Sequence, residues 1–323
     1  MMRTLATLLG VLALAAATVA LVARYMPISG HPMLIVAAVA PYLSLAAPVA
    51  VLLLALRRRW LLALMALAVT TALVGVYFPR YQGGAASTSG TVDVRVLTAN
   101  LGVGQADPRA VVALARDSAD IVAVQEITQD ASDGMSAAGM DAVFPYRVVV
   151  PAPRVSGIGI WSRHPIVQSG RIDGYALPML GARIRVPGVT VDTTVLSVHL
   201  AAPWPQPIGP WLRDIGLLPD TLREVAAAAG AGAVIVAGDF NATADMAPFG
   251  RLLDEGFGDA AAEAGAGLAR TYPGRGNRPP LLGIDHILVR NCSAAAASTV
   301  TVPGADHRGL LATLRVPVDM TAS

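Results

Sequence analysis

The chain has 323 residues, 54% of them hydrophobic, and its mean hydropathy of +0.56 is too high for a protein that is soluble throughout. All 24 basic residues are Arg, and none of the 22 acidic residues precedes residue 91. From residue 91 onward 18 Arg face those 22 acidic residues, a balance of −4, which argues against a nucleic-acid-binding protein with a generally basic surface.

The first eighty residues contain three long apolar stretches, Leu5–Val22, Met33–Leu56 and Leu61–Tyr77. A membrane-crossing helix needs about 20 residues, so we predict a membrane anchor of three transmembrane helices over residues 1–80. The first stretch follows Arg3 and is rich in Ala, like a cleaved signal peptide, but two further spans come after it. Pro41 and Pro48 predict a kink in the second span.

Charge in the loops predicts how the anchor is oriented. Arg57–Arg59 lies between the second and third spans, and positively charged loops stay cytoplasmic. The amino terminus is then inside and everything after Tyr77 outside, with Arg24 and Arg80 as the only opposing charges. A Gly/Ser/Ala-rich linker, Gln82–Gly90 within residues 81–90, precedes a domain over residues 91–323. We therefore predict a multi-pass plasma-membrane protein whose domain is extracytoplasmic.

In this domain, apolar runs typical of buried strands end in polar residues. The predicted strand Val92–Ala99 ends at Asn100, and the predicted strand Asp120–Gln125 ends at Glu126. A carboxylate directly after a buried strand is costly unless it meets a cation or hydrogen-bond donors. Taken alone, Glu126 also fits an ordinary glutamate at a strand end whose side chain points to solvent.

Later strands repeat this pattern. The further predicted strands are Phe144–Val150, Gly157–Ser162, Val189–Leu200 after a turn at Pro187–Gly188, the run from Val234, Gly283–Val289 and Leu310–Val316. The polar residues that they carry are His199, the Asp239 and Asn241 that follow Gly238, Asp285, and the pair Asp306 and His307. Each has a plain structural explanation, since Gly, Asp and Asn are common where strands exit into turns and a lone His is commonly structural. The repetition favours a shared site.

Helices are predicted between these strands. Asp107 caps one that begins at Pro108 and ends near Ser118. Another is predicted to begin at Thr221, and a third to run from Asp245 to about Gly256. The mixture of strands and helices indicates an α/β protein but does not determine its topology.

Taken together, the motifs resemble the endonuclease/exonuclease/phosphatase family, which includes DNase I, neutral sphingomyelinases and inositol-polyphosphate phosphatases. The motifs are Asn100, QE ending at Glu126, GIGIWSRHPI, SVHL with His199, GDFN, GIDHIL and the final DH. The resemblance covers residues 91–317. It implies a four-layer α/β sandwich of two packed mixed sheets with the active site at one end.

The resemblance also implies a Mg²⁺-dependent phosphoesterase, with Mn²⁺ as a second candidate ion. Glu126 would be the main metal ligand, with Asn100 beside it and Asp306 near the ion. Oxygen ligands suit this hard cation. The single cysteine, Cys292, excludes a cysteine-based zinc cluster and an internal disulfide, and we interpret it as a buried small hydrophobic residue.

The catalytic roles implied by the resemblance fall on five residues. Asp239 and His307 jointly activate the attacking water, with Asp285 orienting His307. Asn241 fixes Asp239 and the phosphate, and His199 donates to a phosphoryl oxygen. Ala305 departs from the Ser that many members carry before the DH, which puts one supporting hydrogen bond in doubt.

Three functions are weighed for this chain. The leading one is hydrolysis of phosphodiester or phosphomonoester bonds outside the cytoplasm, with lipid-linked phosphate as a candidate substrate. Residues 201–219 after His199 are apolar and contain Trp204 and Trp211, which suit a membrane interface or ordinary packing. An extracytoplasmic metal-dependent nuclease is the alternative, although the charge disfavours nucleic acid. A non-catalytic membrane scaffold is disfavoured because every expected polar position is filled.

Overall fold

The computed structural model describes residues 2–84, 90–276 and 279–319, which divide into two compact units. One is Met1–Pro79 with Thr243–Gly250, and the other is Arg80–Ala242 with Arg251–Ser323. Most of the predicted linker lies outside the described residues. Its described start is hydrogen-bonded, because the Gly84 N–H donates to the Glu263 carbonyl at 2.9 Å. The linker and the predicted domain boundaries therefore stay predictions.

Four apolar helices make up most of the first unit: α1 (Met2–Ala23), α2 (His31–Leu43), α3 (Ala46–Leu56) and α4 (Trp60–Tyr77). By length and composition, α1 and α4 can each cross a membrane, and α2 with α3 gives a third span if this pair, bent by 62°, is one crossing. The predicted kink is a break after Leu43. Pro48 accounts for it, because its ring conflicts with the carbonyl group four residues earlier.

Small side chains pack these helices together. Ala17, Ala47, Ala50 and Ala66 are buried at the helix contacts, whereas leucines such as Leu52 and Leu64 are exposed. Alanines allow helix backbones to approach closely, as in membrane bundles, where apolar side chains face lipid. The unit therefore has the composition of a membrane anchor.

Two six-stranded mixed sheets form the second unit. The first has the order β11 (Ser293–Thr301), β12 (Arg308–Pro317), β1 (Thr91–Asn100), β2 (Ile121–Gln125), β4 (Ile158–Ser162), β3 (Tyr146–Val150). The second has the order β5 (Ile166–Ile172), β6 (Met179–Ile184), β7 (Thr193–His199), β8 (Val234–Asp239), β10 (Asp285–Arg290), β9 (Gly258–Asp259). The pairs β1–β2 and β7–β8 are parallel, and the others are antiparallel.

The sheets pack face to face around a core of Val, Ile, Leu and Ala, including Val96, Ile160, Ile235 and Leu314. The remaining helices are α5 (Pro108–Ser118), α6 (Gln129–Ala137), α7 (Met140–Val143), α8 (Gly209–Ala229), α9 (Ala247–Asp254) and α10 (Ala260–Glu263). Helices α5 to α7 cover the outer face of the first sheet, and α8 packs on β7 and β8 of the second. This arrangement confirms the predicted α/β sandwich of two mixed sheets.

One helix prediction was wrong. Helix α8 begins at Gly209 and not at Thr221, so the second half of the expected apolar loop is helical. Its buried residues recur at spacings of three and four: Trp211, Ile215, Leu218, Leu222 and Ala226. Burial of this apolar stripe maintains the helix through Pro219, which removes one backbone hydrogen bond.

Candidate active site

The eight predicted site residues lie at strand ends at one end of the sandwich. Asn100, His199 and Asp239 end strands and Asp285 begins one, while Glu126, Asn241, Asp306 and His307 lie within two residues of a strand end. Parallel strands deliver their last residues to the same place, and an antiparallel neighbour begins there. Asp239 accordingly pairs in register with His199 on one side and with Asp285 on the other.

Glu126 is held in place by donors from two segments. Its Oε2 accepts the Val103 N–H at 2.7 Å and its Oε1 accepts Asn100 Nδ2 at 3.1 Å. Asn100 Nδ2 also donates to Asp239 Oδ2 at 3.1 Å, while its Oδ1 accepts the Gly102 N–H at 3.0 Å. The amide of Asn100 therefore joins the two carboxylates, one from each sheet.

Gly102 allows Asp306 to approach this group. Its φ is +58°, and a Cβ there would lie 2.7 Å from Asp306 Oδ1. Burial, together with a smaller effect of the Asp306 charge, raises the pKa of Glu126. Glu126 and Asp306 therefore lie close enough for their negative charges to repel each other.

Asp239 lies in a tight turn that ends β8. Its Oδ1 accepts the Asn241 N–H at 2.8 Å, and Asn241 Nδ2 donates to the Leu200 carbonyl at 2.8 Å. Burial and the nearby Asp285 raise the pKa of Asp239 to about 6. At Gly238, which precedes Asp239, a Cβ would lie 1.9 Å from the Val198 carbonyl oxygen. Its small size lets β8 pack beside β7.

His307 and Asp285 form a buried pair. His307 Nδ1 donates to Asp285 Oδ2 at 2.8 Å, and His307 Nε2 lies 3.7 Å from Asp239 Oδ2. Burial alone would lower the pKa of His307, but Asp285 and Asp239 outweigh it and raise this pKa to about 10. The imidazole is therefore protonated at neutral pH in this arrangement.

His199 faces the same carboxylates. Its Nδ1 lies 3.1 Å from the Val155 carbonyl oxygen, so Nδ1 carries the proton. Nε2 lies 3.7 Å from Glu126 Oε1 and 3.9 Å from Asp239 Oδ2. Burial lowers the pKa of His199, which favours the neutral ring with a lone pair on Nε2. The predicted donation to a phosphoryl oxygen therefore needs the doubly protonated ring.

The residues present suit a hard divalent cation. Polar side-chain atoms of Asp239, Asp285 and His307 lie within 4.8 Å of one another, and all three residues are buried. Because the His307 ring is protonated, the carboxylate oxygens are the atoms in this group that can bind a cation. Asp285 Oδ1 is buried and has no hydrogen-bond partner among the described residues. Burial raises the pKa values of Glu126 and Asp239, and the nearby acids Asp306 and Asp285 add to this effect. A cation bound among these oxygen atoms would stabilise them.

Several contacts at the site come from residues that the sequence did not single out. They are the Val103 N–H on Glu126, the Val155 carbonyl on His199, and the Tyr272 ring, whose centroid is 5.0 Å from that of His307. Beneath the site, Gln125 Nε2 donates to Ser197 Oγ at 3.1 Å and so joins the two sheets. Two of these groups are backbone atoms, which side-chain patterns do not reveal.

A family model described as the Endonuclease/Exonuclease/phosphatase family matches residues 97–315. Among curated proteins, no sequence matches this chain significantly.

Several solved structures share this fold. An endonuclease/exonuclease/phosphatase from Bacteroides vulgatus is 19% identical, with TM-score 0.57, and the match covers 70% of this chain and 99% of that one. TDP2 of D. rerio, complexed with a single-strand DNA product, is 16% identical (TM-score 0.54; 69% and 98% covered). A mannosyl-6-phosphatase from Bacteroides thetaiotaomicron is 16% identical (TM-score 0.54; 68% and 99% covered).

Proposed function

The chain belongs to the endonuclease/exonuclease/phosphatase family, whose members hydrolyse phosphoester bonds, and we propose that it is a membrane-anchored, Mg²⁺-dependent phosphoesterase. The observation that carries this proposal is the convergence of eight polar side chains at one end of the sandwich. A catalytically inactive scaffold would have no need to bury several carboxylates and two histidines together, at the cost that such burial brings.

We assign the proton transfer to Asp239. A pKa of about 6 leaves its carboxylate mostly ionised at pH 7 yet basic enough to take a proton from water. His307, protonated because its pKa is raised to about 10, then supplies positive charge and an N–H to a phosphoryl oxygen. Asp285 keeps that ring in position through the 2.8 Å bond to Nδ1.

The remaining side chains hold substrate and ion. The Asn241 backbone N–H steadies Asp239, and its side-chain amide, fixed on the Leu200 carbonyl, is assigned to the phosphate. His199 donates to the phosphate once a bound anion favours its doubly protonated form. Glu126, Asn100 and Asp306 would hold Mg²⁺ or Mn²⁺, which when bound supplies charge that offsets the negative charge developing on the phosphoryl group.

For the substrate we favour a phosphate ester carried on a lipid. Because the domain follows the apolar helices along the same chain, it would stay tethered to the membrane that those helices cross. Trp204 is 58% exposed in the segment after His199, whereas Trp211 is fully buried with its indole N–H on the Phe240 carbonyl. Trp204 is therefore the aromatic side chain that would meet a bilayer.

A nuclease is the second candidate, because TDP2, which shares the fold, was solved with a DNA product. The mannosyl-6-phosphatase shares the fold equally, so the fold alone does not choose between them. The balance of −4 over residues 91–323 weakens long-range attraction for a polyanion. A small or lipid-linked phosphate ester fits that charge better.

The test is a substrate screen with the full chain purified in detergent. Phosphate-bearing lipids in vesicles, inositol phosphates, a sugar phosphate and single-stranded DNA are each incubated with Mg²⁺, with Mn²⁺ and with EDTA. We expect metal-dependent release of phosphate or headgroup from lipid. DNA cleavage without lipid turnover would replace the proposal by the nuclease, and no turnover of any substrate would contradict it.

A further inference from the structure

His286 follows Asp285 in the chain, and its imidazole contacts the turn from Asp239 to Ala242 that ends β8. The ring is buried, with Nδ1 2.8 Å from Asp259 Oδ2 and Nε2 2.9 Å from the Ala242 carbonyl oxygen. Both ring nitrogens face acceptors, so both donate, as only a doubly protonated ring can. The resemblance gave this histidine no role.

Asp259 fixes the other side of the ring. Its Oδ1 accepts the Ala261 N–H at 2.8 Å at the start of α10, which leaves Oδ2 for His286. The carboxylate is thus anchored to a helix and is itself buried. The His286 ring therefore connects β9 and α10 to Ala242, the residue directly after Asn241.

The turn from Asp239 to Ala242 is held by side-chain donors at two successive places. Trp211 Nε1 donates to the Phe240 carbonyl at 3.1 Å, and His286 Nε2 donates to the Ala242 carbonyl. Between them lies Asn241, a non-glycine residue with φ +48°. A backbone conformation of that kind persists only when its surroundings over-determine it.

We propose that His286, held by Asp259, is a positioning residue that fixes the Asp239–Asn241 turn for catalysis through the Ala242 carbonyl. This inference rests on the proposed phosphoesterase function. Catalytic groups displaced by about 1 Å lose on the order of 100-fold in rate, so release of this turn lowers kcat more than it changes substrate binding.

The experiment compares Asp259→Asn with the double variant Asp259→Asn/His286→Phe in the full chain. With Asn at 259, a neutral ring accepts from the new amide at Nδ1 and still donates from Nε2 to Ala242, so kcat stays within about threefold of wild type. The double variant buries no unpaired carboxylate and loses the Nε2 donor to the Ala242 carbonyl. Its kcat should fall about 10–100-fold with KM within about threefold. His286→Leu takes the place of His286→Phe if that variant does not fold.

A matched control separates positioning from general loss of stability. Asp120→Ala breaks a partly buried hydrogen-bond network with Arg95 at the opposite end of β2 and should lower the melting temperature while leaving kcat unchanged. Equal kcat for the single and double variants, or a similar loss in Asp120→Ala, would overturn the proposal.

Hydrogen exchange gives a readout that does not depend on turnover. The Phe240 N–H donates to the Ile284 carbonyl and the Asn241 N–H to Asp239 Oδ1. These two amides should exchange at least about tenfold faster in the double variant than in Asp259→Asn, and unchanged exchange would refute the positioning role. If wild type hydrolyses none of the tested esters, the proposed function fails while this comparison still decides whether His286 fixes the turn.

Discussion

Two residues of the site adopt backbone conformations that side chains rarely take. Glu126 has φ +59° and Asn241 has φ +48°. Such conformations cost of order 1–3 kcal/mol each and persist where neighbouring contacts enforce them. Here the Val103 N–H holds Glu126, and the Leu200 carbonyl holds Asn241. Both side chains are therefore aimed into the site before any substrate binds.

The first prediction concerns the ion. Glu126→Gln replaces a charged oxygen ligand by a neutral amide of the same shape, so we expect activity to fall by roughly 100-fold or more and the Mg²⁺ concentration for half-maximal activity to rise. Titration of activity with Mg²⁺ measures both.

Glu263→Gln is the matched control. Glu263 is also a partly buried acid with a raised pKa, but its Oε2 accepts the Ala294 N–H outside the site. Near-normal Mg²⁺-dependent turnover in Glu126→Gln, or an equal loss in both variants, would remove Glu126 from the ligand set.

The convergence of these side chains could be predicted from sequence because they follow recognisable apolar runs, and the roles proposed for them rest on the family resemblance. Their backbone partners could not. Nothing in the letters near Val155 indicates that its carbonyl sets the tautomer of His199, because that contact joins residues 44 positions apart. His286 was quoted within GIDHIL but given no role, since its partner Asp259 carries no motif.

Among the elements, strands buried on both faces were the most predictable. β2 and β8 are fully buried strands rich in Val, Ile and Ala; β2 was predicted with one extra residue at its start, and β8 begins at the predicted Val234. β11 was not predicted, because SAAAASTVT is rich in Ala, which has low strand propensity. β5 is an edge strand that is exposed along most of its length. Because neither of its faces is well buried, its sequence lacks a clear alternation of apolar and polar residues.

The second prediction belongs to the start of β2. Asp120 Oδ1 and Oδ2 accept hydrogen bonds from the Arg95 guanidinium, and Oδ2 also accepts the Arg95 N–H. Burial opposes ionisation, but these bonds outweigh it and hold the pKa of Asp120 below its usual value. A depressed folded-state pKa adds stability above the unfolded-state value of about 3.9, and this stability is lost as the pH falls through the folded-state pKa.

Asp120→Asn should therefore melt roughly 2–4 °C below wild type at pH 7. A loss of about 1 kcal/mol in the free energy of unfolding lowers the melting temperature by this amount in a domain of this size. The gap should close as the pH falls from the unfolded-state value of about 3.9 through the folded-state pKa. Thermal melts of the two proteins from pH 7 to pH 2 measure this. A gap that stays constant, or widens in acid, would mean that the Asp120 charge does not stabilise the fold.

On the scale of the whole molecule, charge separates two kinds of sequence, an acid-free apolar segment and a mildly acidic α/β domain. The third prediction concerns orientation: by the positive-inside rule the Arg57–Arg59 loop should lie in the cytoplasm, and a single crossing by α4 should then place residue 323 outside. Reporters fused after residue 323 should be active only in the form that works outside the cytoplasm. Replacing the three arginines by Asn should weaken that preference. Activity of the cytoplasmic reporter alone would reverse the orientation and remove the extracytoplasmic substrate from consideration.

The last prediction connects the anchor with the substrate. An exposed Trp near a membrane settles in the interfacial region, and Trp204 is exposed whereas Trp211 belongs to the core. Trp204→Ala should therefore lower turnover of a phosphate-bearing lipid in vesicles by about 3–10-fold while leaving a small soluble phosphodiester unaffected, since one interfacial Trp contributes on the order of 1 kcal/mol. Tyr146→Ala, which removes an exposed aromatic ring from edge strand β3, is the control and should change neither rate. Equal losses on lipid and soluble substrate would mean that Trp204 serves the active site itself, and no loss on either would leave lipid-linked phosphate without support from this side chain.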